Sequence, residues 1–337
     1  MYRIWAFTVL FALTAGFAFA GGSAAVLGSC FSHSALFGSR ADLHIGPRHE
    51  PDLSPPLKTV PDMLFPPVVP ALRGDIRYVT PAAGEKVVAL TFDMCELSTK
   101  TAGYDYKAVN ALRRHSARAT FFAGGKWMRS HPEKAKQLIA DPLFEVGSHT
   151  WTHGNFGVMS DAAMRRQIEW TQAEYELLRG ELLSSKCAEN IPRAEKDKIP
   201  EVPEVFRLPY GRCTPAALDL VNGYGLKVIQ WNVSDIRLEG EHPPEYYAER
   251  LAKEIKPGSI VLMHANGVVK ETGDVVEHLL RLLEAEGYSF LTVSELLKRG
   301  EVHSEYECYF EKEGDNLFLD KIYGDGTVHP VNKKPGL

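Results

Sequence analysis

The stretch "ALTFDMCE", Ala89–Glu96, reads as a buried strand that ends on the carboxylate of Asp93. The residues before Asp93 are uncharged and mostly apolar, which is typical of a strand covered on both faces in a parallel sheet. A methionine, a cysteine and a second carboxylate follow at once. The stretch therefore predicts a parallel sheet with a polar site at the point where this strand ends.

Six further segments resemble this strand in their β-branched or aromatic runs. All seven are "KVVALTFD" (86–93), "ATFFAGG" (119–125), "FEVGSHT" (144–150), "VFRLPYG" (205–211), "KVIQWNVS" (227–234), "SIVLMHA" (259–265) and "YSFLTV" (288–293). Most of the segments between them have apolar residues at three- and four-residue spacing and predict helices. Strands that alternate with helices pair in parallel, so the predicted class is α/β. A closed or nearly closed βα barrel is favoured, and a doubly wound open sheet is the alternative.

Composition excludes one broad class of function. The 337 residues carry a formal net charge of −5, with 45% hydrophobic and 24% charged residues. This balance is typical of a globular protein with a substantial core. Nucleic-acid binding requires clustered Lys and Arg that face phosphates, and the acidic balance offers no such field. We therefore expect no nucleic-acid partner.

The N-terminus resembles an export signal. An uncharged run covers residues 4–28, and its most apolar part ends at Ala18-Phe19-Ala20. Residues 1–20 are therefore predicted to be a signal peptide with a small-residue cleavage site, or else a membrane anchor that attaches the protein to the membrane. Lipidation at Cys30 is a third alternative, because "LGSC" loosely resembles a lipoprotein cleavage box. All three place the protein in the periplasm, the cell envelope or the extracellular space.

Three regions follow this signal. Residues 21–84 include the proline-dense "GPRHEPDLSPPLKTVPDMLFPPVVP" and are predicted to be an extended leader. Residues 85–300 hold the alternating strands and helices. Residues 301–337 form a tail with neither a clear period nor a motif, and its role stays open.

The five cysteines are too few and too scattered for a disulfide-stapled miniprotein. No CxxC pair indicates a zinc ribbon. Cys187 and Cys213 are the predicted disulfide, because each lies in a loop-like stretch.

Polar residues follow the strands at the carboxyl ends that a βα barrel gathers around one mouth. They are Asp93, His149, His153, Arg207, Tyr210, Asp235 and His264. His149 and His153 suit one divalent cation if their segment turns helically, since imidazole is a common ligand of zinc and similar ions. A chance pair is the alternative, because the chain contains 12 histidines.

A carboxylate and a guanidinium come from two different strand ends. Asp93 can act as a base if a cation keeps it ionised, and the planar guanidinium of Arg207 can grip it bidentately. A structural salt bridge is the alternative interpretation. Pro209 stiffens the following turn, which makes the peptide N–H of Tyr210 a candidate donor to an oxyanion.

His264 is the only ionisable residue of its strand. Its position at the mouth of the barrel indicates a general acid, although a solitary histidine is more often structural. Asp235 is a candidate to tune His264, and a solvated loop aspartate is the equal alternative.

Four of these segments, in this order, resemble motifs of the polysaccharide deacetylase superfamily, the NodB-homology or carbohydrate esterase family 4 domain. The motifs are "TFDMC", "SHTWTH", "RLPYG" and "LMH", and the resemblance covers roughly residues 84–300. It implies a distorted (β/α)7 barrel that hydrolyses the N-acetyl amide, or sometimes an O-acetyl ester, of a glycan. The expected partner is an acetylated glycan substrate such as peptidoglycan or a chitin-like oligosaccharide.

The resemblance also implies a role for each matching residue. Asp93 is expected to be the base, held by Arg207. His264 is expected to protonate the departing amine. The peptide N–H of Tyr210 is expected to bind the oxyanion, and Leu262 to line the acetyl pocket.

The metal site departs from the family pattern. A divalent ion, zinc with cobalt or another metal as alternatives, is implied on His149 and His153, but Met94 replaces the aspartate that usually binds it too. A thioether is a poor ligand for zinc or any harder ion. The two histidines therefore hold the metal with water, or with a third ligand. Glu96 is the predicted third ligand, since a carboxylate restores charge and hardness, and Cys95 is the alternative.

Two classes of function follow. The first is a metal-dependent deacetylase, and the second is a glycan-binding protein that has kept the barrel and lost the metal. A metal-independent amide hydrolase is a third possibility, which the export signal disfavours. The aspartate spacing of the family's fourth motif is not reproduced around Trp231, so Asp235 is assigned only as support for His264.

Overall fold

The computed structural model describes residues 21–235, 242–269 and 271–324, so the signal or anchor predicted for residues 1–20 lies outside the described residues. The strands are β1 Gly46–Pro47, β2 Asp75–Pro81, β3 Val87–Met94, β4 Lys100–Thr101, β5 Ala119–Ala123, β6 Phe144–Ser148, β7 Val205–Phe206, β8 Lys227–Ile229, β9 Val233–Ser234, β10 Ile260–His264, β11 Ser289–Phe290 and β12 Gly300–Glu305. The α-helices are α1 Ala24–Cys30, α2 His33–Phe37, α3 Tyr106–Arg114, α4 Gly125–Ser130, α5 Pro132–Ala140, α6 Asp161–Ser184, α7 Arg193–Lys196, α8 Pro215–Gly223, α9 Pro244–Glu254, α10 Thr272–Ala285 and α11 Val293–Leu296. Short 3-10 helices cover Arg40–Leu43, Pro70–Leu72, Lys186–Ala188, Pro209–Gly211 and Leu317–Lys321.

One large sheet carries the fold. Its strand order is β12-β2-β8-β7-β6-β5-β3-β10-β9, and β11 pairs with β3 beside this path. All neighbours from β2 to β9 pair in parallel, whereas β12 pairs antiparallel with β2. The predicted α/β class with a parallel sheet is therefore confirmed.

One segment curls the sheet into a partly closed barrel. The predicted strand "KVIQWNVS" splits into β8 and β9, which only residues 230–232 separate. β8 pairs with β7 and β2, whereas β9 pairs with β10 at the opposite end of the strand order. This short stretch thus links the two sides of the sheet, which must curl to bring them together. The result is the distorted barrel that the family resemblance implies, and not an open doubly wound sheet.

The central strand β3 is almost wholly apolar because both of its faces are buried. All 8 of its residues are buried. Leu90, Phe92 and Met94 join the hydrophobic cluster formed with the surrounding helices, whereas Ala89 joins a separate cluster with side chains of the other strands. Because side chains alternate along a strand, Asp93 lies on the same face as Ala89. The strand therefore delivers its carboxylate to the inside of the barrel mouth.

The six helices predicted between the strands are all present, as α3, α5, α6, α8, α9 and α10. The first of them begins at Tyr106 and is capped by Asp105, whose side chain accepts the backbone N–H groups of Lys107 and Ala108. Within the described ranges, no helix combines the length and the apolar character needed to cross a membrane.

The leader predicted for residues 21–84 is not an extended spacer in the structure. It contains α1, α2 and β2, and β2 belongs to the main sheet. Arg48 pairs with the buried carboxylate of Glu96, and Asp52 pairs with Lys126. A proline-dense segment can dock through individual contacts of this kind, which leave no period in the sequence. The leader is therefore part of the folded body.

The disulfides also differ from the predicted pair. Cys187 is bonded to Cys30, and Cys213 is bonded to Cys308. The partners, Cys30 and Cys308, both lie outside the region of alternating strands and helices. The loop-like character of Cys187 and Cys213 could not identify partners so far away in the sequence. The sulfur of Cys30 is thereby engaged, which argues against its lipidation. Cys95 is the free cysteine.

The tail predicted for residues 301–337 has regular structure in its described part. β12 extends the main sheet, and residues 306–324, here called the C-terminal segment, pack against the turn that follows β7. Two strands of the main sheet, β2 and β12, thus reach beyond the predicted boundaries 85–300.

Candidate active site

Side chains from several strand ends meet at the barrel mouth. Asp93 at the end of β3 lies in register beside His264 at the end of β10. His149 follows β6, Arg207 follows β7, and Asp235 follows β9. The carboxyl ends of parallel strands share one rim in a barrel. The structure brings these five predicted residues together there in two hydrogen-bonded groups.

Arg207 holds Asp93 in one orientation. Its Nη1 donates to Oδ1 of Asp93 at 2.9 Å, while Nε and Nη2 donate to the backbone oxygens of Ile229 and Gln230, each at 3.0 Å. The guanidinium is fully buried and lies 4.1 Å from the ring centre of Phe122. The predicted bidentate grip is therefore wrong, because two of the donors bind the backbone at the end of β8 and at the residue that follows it. Oδ2 of Asp93 stays available to the site.

His149 has an unpaired ring nitrogen close to Oδ2 of Asp93. Its Nδ1 lies 2.9 Å from the backbone oxygen of Arg207 and must donate, since a carbonyl can only accept. Its Nε2 is buried without a hydrogen-bond partner and lies 3.4 Å from Oδ2 of Asp93. Burial lowers the pKa of His149, and the charge of Asp93 opposes this only in part. A neutral imidazole with a free Nε2 is the form that binds a metal.

His153 lies beside His149 although the segment between them is not helical. Thr150 and His153 have φ angles of 65° and 58°, in the left-handed region, and none of the described helices includes them. The ring of His153 lies 4.9 Å from that of His149, centre to centre. Burial and then the charge of His149 lower the pKa of His153 well below its usual value. The expected helical turn is wrong, although the two imidazoles do converge.

Glu96 does not serve as their third partner. One of its carboxylate oxygens bonds to Arg48 and Ser130, and the other accepts the N–H of Ala102 at 3.0 Å. Its side chain is buried with both oxygens engaged, at 2% exposure. These contacts argue against the predicted role of Glu96 as a metal ligand, because Arg48 of the leader already pairs with its carboxylate.

Cys95 lies near the histidines instead. Among the described residues, its Sγ and one ring nitrogen each of His149 and His153 all lie within 4.8 Å of one another. Asn266 Nδ2 donates to the Sγ at 3.1 Å and to the backbone oxygen of Cys95 at 2.8 Å. Burial, with a contribution from the charge of Asp93, raises the pKa of Cys95 to about 12.

These donors fit the divalent ion that the family resemblance implies. The buried, unpaired Nε2 of His149 is a polar atom that a cation would satisfy. Zinc binds nitrogen and sulfur at about 2.0–2.3 Å. Modest side-chain rotation would therefore close a donor set that spans at most 4.8 Å onto one ion.

His264 is coupled to Asp235. Its Nδ1 lies 3.1 Å from Oδ1 of Asp235, and its backbone N–H donates to Oδ2 at 3.1 Å. Burial lowers the pKa of His264, but the charge and the hydrogen bond of Asp235 outweigh it, so the pKa is raised. Asp235 is only 2% exposed and is not a solvated loop residue. His264 also lines a cavity of the site.

Tyr210 follows Arg207 in a strained turn. Its φ is 62°, in the left-handed region that non-glycine residues rarely adopt. Its ring lies 4.3 Å from the ring of His153 and stacks on Tyr323 at 4.2 Å. Its hydroxyl is buried without a hydrogen-bond partner. The turn thus packs the aromatic ring against one of the two converging histidines.

A cavity of about 280 Å³ opens beside these groups. Cys95, His153, Tyr210, His264 and Tyr323 are among its lining residues. Leu262 lies two residues before His264 on the same face of β10 and is buried, and the lining of the cavity does not include it. One of the two converging histidines, His153, and the candidate acid, His264, thus line the same cavity.

Two neighbours of the site are absent from the predicted set. Asn266 follows His264 by two residues in "HANG", and its polar side chain just past a strand end is a signal that was available. Tyr323 comes from the tail, whose sequence has no motif, so only the tertiary structure places it beside Tyr210.

Comparisons with known proteins agree with this geometry. Residues 80–183 match the family model described as Polysaccharide deacetylase. The peptidoglycan-N-acetylglucosamine deacetylase PgdA of Listeria monocytogenes is 29% identical over 239 residues, which cover 71% of this chain and 44% of PgdA. A peptidoglycan-N-acetylglucosamine deacetylase of Bacillus cereus is 28% identical over 216 residues, which cover 64% of this chain and 89% of the relative. The match thus spans less than half the length of PgdA.

A solved structure shares the fold. It is a CE4-family pseudoenzyme from Bacillus anthracis, with a TM-score of 0.54 and 24% identity, covering 68% of this chain and 71% of that one. At this identity the likeness concerns the fold alone. Taken with the match of residues 80–183 and the ordered motifs at one barrel mouth, it shows the fold of the solved CE4 structures and a region similar to the polysaccharide deacetylase family.

Proposed function

We propose that this protein removes N-acetyl groups from a glycan of the cell envelope, with a divalent metal ion as its cofactor. N-acetylglucosamine in peptidoglycan is the first candidate substrate, because the two relatives above are named for it. The two disulfides support an exported location, since disulfides persist in oxidising compartments. The proposal depends most on Asp93, which Arg207 fixes on one oxygen and whose other oxygen lies 3.4 Å from the free Nε2 of His149.

Asp93 is the proton acceptor in this proposal. Its Oδ1 is bonded to Arg207, so Oδ2 takes the proton of the attacking water. The adjacent guanidinium fixes the direction of the carboxylate, so that Oδ2 faces the site. A divalent ion held by His149 and His153 would polarise the acetyl carbonyl and acidify that water.

His264 is the proton donor. As the bond between the acetyl carbon and nitrogen breaks, its Nε2 gives a proton to the nitrogen, which leaves as a neutral amine beside acetate. Asp235 stabilises the protonated imidazole through Nδ1. The peptide N–H of Tyr210 is assigned to the oxyanion, and Leu262 to the methyl group of the acetyl.

The test is acetate release from N-acetylated chitin oligomers, peptidoglycan and simple acetyl esters, with zinc or cobalt added. Release should stop with a chelator and should fall by roughly 10²–10⁴-fold in Asp93→Asn. Asp219→Asn, an exposed aspartate on α8, is the matched control and should keep full activity. If the metal-loaded protein releases no acetate from any of the three substrates, the proposal is wrong.

A glycan-binding role without catalysis is the second candidate. It is favoured by Met94, which stands where the family usually has a metal-binding aspartate and is buried in the hydrophobic core. Saccharide binding by a protein that retains no metal and releases no acetate would establish this alternative.

A further inference from the structure

We propose that Cys95 is a thiolate ligand of the metal ion, so that the site is His149, His153 and Cys95 in place of the two histidines and aspartate usual in the family. This inference builds on the metal site of the proposed function. It concerns binding and not the reaction, so the two can fail separately.

The direction of the side chains supports the exchange. Met94 is fully buried in the hydrophobic cluster outside the barrel, so its thioether faces away from the histidines. Cys95 is the next residue and lines the cavity together with His153. The anionic ligand has thus moved one position along the chain, from the residue that now enters the core to the residue that faces the site.

Neither of the other acidic groups nearby belongs to this set of donors: both oxygens of Glu96 are engaged, and Oδ2 of Asp93 is the proton acceptor of the proposed function. Glu96 is bonded to Arg48, Ser130 and the N–H of Ala102. Asp93 is bonded to Arg207 at 2.9 Å. Among the described residues, the only group of three potential metal ligands is Cys95 with the two histidines. The buried and unpaired Nε2 of His149 points independently to a missing cation.

A hydrogen bond from Asn266 orients the sulfur of Cys95. Its amide donates to the Sγ at 3.1 Å, and groups that donate to ligand atoms orient them toward the metal. As the metal–sulfur bond forms, the thiol proton passes to solvent, because coordination deprotonates a thiol outright. The ion then has one anionic ligand, as with a carboxylate, but a soft one. Thiolate favours zinc and cobalt over magnesium, calcium and manganese.

Cobalt binding provides a direct test with the full-length oxidised protein. Titration with Co²⁺ should produce a sulfur-to-cobalt charge-transfer band in the near ultraviolet, at one equivalent. Cys95→Ser should lose the band and bind zinc more weakly, by at least about 10–100-fold, the cost typical of losing even a residue that only orients a ligand. Cys95→Asp should keep the metal and lose the band. Wild-type protein that binds one cobalt without this band would overturn the inference, whatever the variants do.

Thiol protection gives a second measurement that needs no variant. Four of the five cysteines are in disulfides, so iodoacetamide can alkylate only the thiol of Cys95. Zinc should slow its alkylation strongly, whereas magnesium should leave the rate unchanged. An alkylation rate that zinc does not alter, in protein shown to hold zinc, would contradict the inference. A charge-transfer band without acetate release would support the ligand set and count against the proposed activity instead.

Discussion

Arg207 is the single residue that shapes the site most. Its guanidinium is fully buried and donates to Asp93 and to two backbone oxygens, so each direction of the planar group is used. Only arginine offers this fork of fixed donors, whereas lysine is a point charge on a flexible stem. The pairing with Asp93 therefore sets the position of the carboxylate.

We expect Arg207→Lys to lower both stability and activity. A lysine can keep the ion pair with Asp93 but leaves the buried backbone oxygens of Ile229 and Gln230 without donors. The free energy of unfolding should fall by roughly 2–5 kcal/mol, measured by urea denaturation. Arg166→Lys, on the exposed face of α6, should change it by less than about 0.5 kcal/mol. Equal stability of the two variants would mean that the guanidinium is not held as described.

The pair of His264 and Asp235 predicts a pH dependence. Because Asp235 raises the pKa of His264, the protonated acid is present below that raised pKa and is lost as the pH rises through it. Activity should therefore fall on the alkaline side. Asp235→Asn removes the charge that raises the pKa, so the alkaline limb of kcat/KM should move to lower pH.

The measurement is the pH profile of kcat/KM for acetate release, with His264→Gln as the comparison. His264→Gln should lower the rate and abolish the alkaline limb, because no titrating acid is left. An alkaline limb that stays in place in Asp235→Asn would show that another group controls it.

At the scale of single elements, the C-terminal segment forms one wall of the site. Asn316 donates to the backbone oxygen of Tyr210 at 3.3 Å and also bonds to that of Gly211. Asp320 pairs with Arg212 at 2.8 Å. The disulfide from Cys308 to Cys213 ties the start of the segment to the same turn. The turn that carries the candidate oxyanion donor is thus held by a segment from the far end of the chain.

We expect Tyr323→Ala to weaken substrate binding more than turnover. Loss of an aromatic pair removes about 0.5–1.5 kcal/mol, so KM should rise about 2- to 13-fold as Tyr210 loses its stacking partner. Tyr323→Phe should restore the wild-type KM, since the ring carries the contact. Phe318→Ala, at a ring in the same segment that is 56% exposed, is the control and should have no effect. If Tyr323→Ala matches Phe318→Ala, the segment does not shape the site.

At the scale of the whole molecule, the leader contributes a strand and an ion pair to the folded body. β2 pairs with β8 and β12, and Arg48 neutralises the buried Glu96. The disulfide from Cys30 to Cys187 fastens the start of the leader to the loop after α6. Removal of the leader would therefore expose two strand edges and leave a buried carboxylate without its partner.

A chain that begins at Lys86 should fail to fold cooperatively. An unpaired buried charge alone costs several kcal/mol, which is a large fraction of the stability of a typical protein. Near-ultraviolet circular dichroism and urea denaturation measure the outcome. A chain that begins at Gly21 is the control and should unfold in one cooperative transition. Cooperative unfolding of the shorter chain at the same midpoint would restore the interpretation of residues 21–84 as a spacer.

The two disulfides should have separable effects. Replacing both Cys30 and Cys187 by serine should lower the free energy of unfolding by about 2–4 kcal/mol and leave KM unchanged, because this bond lies away from the cavity. Replacing Cys213 and Cys308 should cost a similar amount and also raise KM, because this bond anchors the C-terminal segment. Unfolding and steady-state assays on the two variants distinguish these outcomes. An equal effect of both on KM would contradict the separation.

The sequence by itself determined the alternating strands and helices of residues 85–300 and most of the polar residues at the strand ends. Hydrophobic periodicity is local, so the strand before Asp93 and the helices between strands could be predicted from neighbouring residues alone. Parallel pairing then places residues after strand ends at one rim, which is why Asp93, His149, Arg207 and His264 could be grouped without coordinates.

Only the tertiary structure decided which partners these residues have. Glu96 and Cys95 are adjacent in the sequence, and the choice between them depends on Arg48, a residue 48 positions earlier. Tyr323 and the disulfide partners of Cys187 and Cys213 come equally from distant segments. Contacts of this kind join side chains far apart in the chain and leave no period or spacing in it. A sequence therefore fixes where polar groups can gather, whereas packing decides which of them remain free to do chemistry.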